Sequence, residues 1–117
     1  MKKNDSYANF TVYESDKDCK TSDSISISVS DGKLSVCHYI WDEDGTPYGD
    51  KDLEIYMHVD EDNTQKIANK FHAKSNEQLV WTFGELFVRH ESKAFDKIRE
   101  WFERKGIAYS QKLIRLC

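Results

Sequence analysis

Proline occurs once in the 117 residues, glycine five times and cysteine three times. Each shortage excludes something. So little Pro and Gly, with no low-complexity stretch, rules out a collagen-like or linker-like chain. Cys19, Cys37 and Cys117 are odd in number and lack Cys-x-x-Cys spacing, so they write neither a disulfide framework nor a zinc ribbon and read as reduced thiols. No apolar run approaches the ~20 residues that cross a bilayer. Met1-Lys2-Lys3 leads into Asn4-Asp5-Ser6 where a signal peptide would need an apolar run. The expectation is a cytoplasmic chain that makes no use of a membrane.

What is present is aromatic area and charge. Three Trp, six Tyr and six Phe supply the bulk for a core, and a chain of this length buries roughly two-thirds of its unfolded surface. One domain spanning residues 1–117 is expected.

Periodicity assigns the layers. Tyr7 to Tyr13 is rich in aromatic and β-branched residues and reads as an edge strand. Ile25, Ile27 and Val29 alternate with Ser24, Ser26, Ser28 and Ser30, the period-2 signature of a strand with one buried face. Asp31-Gly32 then suits a type I′ hairpin turn, whose two central residues must accept positive φ. Counting outward from that turn sets Val29 opposite Leu34, Ile27 opposite Val36 and Ile25 opposite His38. After an acidic loop, Leu53, Ile55, Met57 and Val59 alternate with Glu54, Tyr56, His58 and Asp60.

Helical periods follow. Asp62 with Gln65 resembles a capping box opening a helix that carries Ile67, Ala68 and Phe71. Ser75 with Gln78 repeats the signal ahead of Leu79, Val80, Phe83, Leu86 and Phe87. Ala94, Phe95, Ile98, Trp101 and Phe102 form a third stripe, closed by Arg104-Lys105-Gly106, where cations suit the helix dipole and Gly a left-handed cap. Ile107 to Ile114 reads as a closing strand with Ile107, Tyr109 and Leu113 on one face. The expected fold is α+β: a mostly antiparallel sheet, an N-terminal meander plus a C-terminal strand, with about three helices on one face in two layers.

Charge is unevenly spread. Between Asp42 and Asp62 there are nine acids and one base, Lys51, although the whole chain carries only −4. The stretch Trp41 to Asp52 joins Asp42, Glu43, Asp44, Asp50 and Asp52 to two aromatic residues, Trp41 and Tyr48. A meander puts that loop at the opposite end of the sheet from Asp60, Glu61 and Asp62. Carboxylates steer a basic partner and aromatic side chains anchor interfaces, so these ten residues are the candidate partner-binding set. Direct nucleic-acid binding is not expected: the eleven bases from Asn63 onward are spread at helical spacing rather than clustered.

Catalytic and metal patterns are missing, and no catalytic residue, metal or cofactor is assigned. His90-Glu91 continues as Ser92-Lys93-Ala94, not as His-Glu-x-x-His. Setting Gly45 at the invariant glycine of an EF-hand places Asp42 and Asp44 at ligand positions but Ile40 first and Lys51 twelfth. Cys37 and His38 are adjacent on a strand and point to opposite faces, so they do not pair as nucleophile and base. His38 falls on the apolar face, where a hydrogen-bonded core histidine is expected; His58 falls on the other face beside Tyr56.

Two stretches resemble a known group. Leu53 to Ile67 is a strand ending in Val59-Asp60 and breaking into a helix, and Phe95 to Tyr109 is a helix ending in Gly106-Ile107 before a last strand. Over about residues 53 to 115 the chain resembles small bacterial immunity proteins of contact-dependent growth inhibition and related polymorphic toxin systems. That resemblance implies an intracellular, non-enzymatic domain that binds a cognate toxin, often a basic nuclease, and occludes it. The alternatives are a small enzyme using the open sheet face around His58, or a general protein-binding adaptor.

Overall fold

The computed structural model describes residues 7–15, 21–46 and 52–115. Strands β1 (Ala8–Glu14), β2 (Thr21–Ser30), β3 (Lys33–Asp42) and β4 (Asp52–His58) come first. Helices α1 (Glu61–Lys70) and α2 (Asn76–Glu85), a 3-10 segment (Val88–Lys93) and helix α3 (Ala94–Lys105) follow, and β5 (Ser110–Arg115) closes the chain. All five strands form one antiparallel sheet in the order β1-β2-β3-β4-β5, with the helices over one face. This is the α+β architecture that the alternating pattern requires.

The β2–β3 hairpin has the register counted from its turn, with Val29 opposite Leu34, Ile27 opposite Val36 and Ile25 opposite His38. Asp31 and Gly32 both take positive φ, 54° and 76°, as the tight turn demands. The inner side chains Ile25, Ile27, Val29, Leu34, Val36, Leu53 and Met57 are fully buried. Against them the helices set an aromatic cluster centred on Phe83, whose ring lies 4.9 Å from Trp101, 5.2 Å from Phe87 and 6.0 Å from both Phe71 and Phe102. Gly84 is required there, because a Cβ at that position would sit 2.3 Å from the Phe10 ring.

Two polar side chains fasten the layers. Thr64, fully buried on α1, accepts a hydrogen bond from the Leu34 backbone N–H at 3.0 Å and so pins the helix to β3. Asn63 accepts one from the Ala108 N–H at 3.2 Å, tying the start of α1 to the segment that leads into β5.

The helical ends confirm two expectations and correct others. Ser75 caps α2 by accepting the Gln78 N–H at 3.1 Å, and Gly106 closes α3 with φ 69°. The cap of α1, however, is Asp60 rather than Asp62: Asp60 Oδ1 accepts the Asn63 N–H at 2.8 Å. Both acids are competent caps, and the earlier one wins because β4 ends at His58 and leaves Asp60 in the extended conformation that a cap needs. Leu86, placed on the apolar stripe by its spacing, is 43% exposed, because α2 ends at Glu85 and the 3-10 turn breaks the 3.6-residue period. The last strand begins at Ser110, three residues after Ile107; Ile107 is buried ahead of it, whereas Leu113 is 36% exposed beyond the helical cover.

Candidate functional site

Among the described residues the helices cover one face only and no element lies over the second face of the sheet, whose contents the register lays out. Ser22, Trp41 and Asp52 form one row across β2, β3 and β4; Ser24, Tyr39 and Glu54 the next; then Ser26, Cys37 and Tyr56; then Ser28, Ser35 and His58. Lys112 and Ile114 of β5 extend the face beside Tyr56 and Glu54, and Glu14 of β1 extends it beside Ser24. Alternation alone produces this: every inward apolar residue has an outward neighbour that the core does not claim.

Those outward side chains are linked both across strands and along β4. The Tyr39 hydroxyl donates to Asp52 Oδ1 at 2.5 Å, and the Tyr56 hydroxyl donates to Glu54 Oε1 at 3.2 Å. The Tyr56 ring stacks on His58 at 5.2 Å with 9° between planes, and His58 Nδ1 is 2.9 Å from Ser35 Oγ. Burial, with the nearby Glu54 carboxylate, pushes the Cys37 thiol up to about 11 despite its hydrogen bond with Tyr56, so it is protonated at neutral pH. Burial pushes the Tyr56 phenol up as well, reinforced by Cys37 and Glu54.

The expected partner-binding residues separate into two groups. Trp41 is on the uncovered face, directly opposite Asp52. Asp42 ends β3 and shapes the exit: its Oδ1 accepts the Asp44 N–H at 2.9 Å and its carbonyl accepts the Gly45 N–H at 3.0 Å, leaving Glu43 and Asp44 exposed. Tyr48 and Asp50 lie outside the described residues. Asp60, Glu61 and Asp62 sit at the far end of β4, which at strand rise is more than about 20 Å from Asp52. Asp60 is occupied as a cap, and its bonds from Asn63 hold its carboxyl below the usual range. Asp60, Glu61 and Asp62 together line a hollow with Lys33. The acidic stretch is therefore two surfaces at opposite ends of the sheet: Trp41 and Asp52 lie on the open face at one end, and Asp60 borders a groove that His58 also lines at the other.

Tyr39 and Glu54 belong to the Trp41 end and are not in the expected partner-binding set, although Glu54 is one of the nine acids between Asp42 and Asp62. The signal that finds them is the period: both lie two residues from a nominated residue, Tyr39 from Trp41 and Glu54 from Asp52. His38, on the inner face, is 16% exposed, contacts Asp23 Oδ1 at 2.5 Å and has its ring 5.4 Å from that of Phe95. It is a paired histidine at the edge of the core.

A groove of about 310 Å³ at the far corner is lined by Lys33, His58, Val59, Asp60, Ala108, Tyr109 and Ser110. Among the described residues no three His, Cys, Asp or Glu side chains are grouped to hold a metal ion. No helix among them is long and apolar enough to cross a membrane. Comparison with protein-family models, with curated proteins and with solved structures finds no match to this chain.

Proposed function

We propose that this chain is a toxin-neutralising immunity protein that binds a cognate basic toxin domain, of the nuclease kind, through the acidic end of its uncovered sheet face. One observation carries the reading: Trp41, Tyr39, Asp52 and Glu54 share that end of the face, and it runs directly into exposed Glu43 and Asp44. Aromatic rings there provide anchoring area with little rotamer entropy to lose, and the carboxylates attract the Lys and Arg side chains with which a nuclease holds phosphate. Occlusion of those cations is inhibition by competition with substrate, and it needs no chemistry from this chain. The resemblance of residues 53–115 to immunity proteins supports the choice of a toxin over another basic partner.

The test is co-expression with the protein encoded beside it, followed by calorimetry at two salt concentrations. Tight 1:1 binding that weakens with salt and abolishes toxicity is expected. Trp41→Ala, or reversal of Asp42, Glu43 and Asp44 to Lys, should weaken binding by at least about tenfold while the melting temperature stays within a few degrees of wild type. Undiminished protection by both variants would remove this end of the face from the interface.

The 2.9 Å contact between Ser35 Oγ and His58 Nδ1 favours a second reading, a small enzyme on the same face. His58→Ala separates the two: it would abolish an enzymatic activity and leave toxin binding at the Trp41 end intact.

A further inference from the structure

Helix α2 breaks two local rules on the side facing away from the sheet. Its inward residues Leu79, Val80, Phe83 and Gly84 are buried, yet Trp81 stands 58% exposed on the outer stripe, with Glu77 four residues before it and Glu85 four residues after. Glu85 lies in the last turn, where a carboxylate opposes the helix dipole, and that turn holds no basic residue; α1 ends with Lys70 and α3 with Arg104 and Lys105. On α3 two exposed acids have cations within reach, Asp96 with Arg99 at 2.8 Å and Glu100 with Lys97 at 3.5 Å, and the third, Glu103, accepts a hydrogen bond from the Tyr109 hydroxyl at 2.9 Å. Among the described residues Glu77 and Glu85 have no such partner, and no cation lies over the Trp81 ring.

We infer that the Glu77–Trp81–Glu85 stripe is a docking site for an arginine-bearing segment of a protein partner. A guanidinium lies flat on an indole face, the best aromatic surface for it, and the two carboxylates bracket the ring at one helical turn on either side, each placed to accept its N–H groups. The charge selects the occupant. Phosphate-rich polymers and anionic bilayers are repelled by both carboxylates. A second copy, crossing antiparallel with Trp81 on Trp81, would set Glu77 of one chain against Glu85 of the other. The site is independent of the reading proposed above, since it belongs to the helical layer while Trp41 and Asp52 lie on the other side of the sheet.

Titrating the protein with hexa-arginine and following the indole N–H signals of Trp41, Trp81 and Trp101 by heteronuclear NMR tests the inference, with Trp81→Phe assigning the signal and hexa-glutamate as control. A saturable displacement of the Trp81 signal is expected with hexa-arginine and none with hexa-glutamate. The double variant Glu77→Gln, Glu85→Gln should weaken it at least about tenfold, with the other two indole signals unmoved in the free protein. A Trp81 signal that does not move, or an affinity that survives the double replacement, would overturn the site; failure of toxin binding at the Trp41 end would leave it standing.

Discussion

The two faces of the sheet are built from the same strands by the same alternation, yet they obey different constraints. The inner face is a set of fully buried aliphatic residues held in shape by Phe83 and its neighbours. The outer face carries hydroxyls, aromatic rings and carboxylates joined by side-chain hydrogen bonds such as Tyr39 to Asp52. Neighbouring residues on one strand therefore answer to different selection: Ile27 to packing, Ser26 to whatever approaches from outside. A sheet covered on both faces would have no such division, and its strands would read as continuous apolar runs.

Substitution at adjacent positions is the sharpest way to break that contrast. Ile27→Ala should cost about 2–5 kcal/mol, lowering the midpoint of urea unfolding, while Ser26→Ala on the same strand should stay within about 0.5 kcal/mol. Equal losses would mean that the outer face is also packed. Thr64→Val comes next: it keeps the shape but leaves the Leu34 N–H buried without its acceptor, and a loss of about 1–3 kcal/mol by the same measurement is expected.

The smallest effect is a titration. Because the folded Cys37 thiol is raised from 9.0 to about 11, the folded chain holds a proton that the unfolded chain releases first. Its contribution to stability is intact below about 9 and is lost as pH rises from there towards 11, and the raised Tyr56 phenol acts in the same direction. At pH 8 the shift leaves about a hundredfold less thiolate on folded Cys37 than on an unfolded chain, so alkylation by iodoacetamide, followed by peptide mass spectrometry, should be slower by about that factor. Alkylation at the unfolded rate would show that the outer face is wetter around Cys37 than its neighbours Tyr56 and Glu54 imply.

How far the sequence discloses all this depends on whether a signal is local. The β2–β3 hairpin was legible because its turn residues and its apolar partners specify one register independently and agree. The cap of α1 was misassigned to Asp62 because Asp60 and Asp62 are both chemically competent, and only the end of β4 decides between them. Trp41 and Asp52 were legible as residues from aromatic character and charge, which assign them to a loop, whereas the structure makes Trp41 part of β3 and Asp52 the first residue of β4. Their direct opposition, and the Tyr39 bond to Asp52, depend on the register between β3 and β4, which the intervening loop does not write in any turn chemistry. Trp81 is not legible from apolar periodicity, because that pattern marks residues that face the core and Trp81 stands on the opposite side of its helix.

Strand order has a consequence in time. Neighbours in this sheet are neighbours in the chain, so β1 to β4 can assemble by successive short closures. The pairing of β4 with β5 is the exception, because residues 59–109, the entire helical layer, come between the two partners. Closing a loop of that length is entropically harder than turning a hairpin, and it becomes favourable once the helices shorten the gap and anchors such as Asn63 to Ala108 and Arg99 to Gln111 hold the far end in place. The fifth strand is thus the clasp of the fold: of the four strand pairings, its own is the one that must close across the whole helical layer.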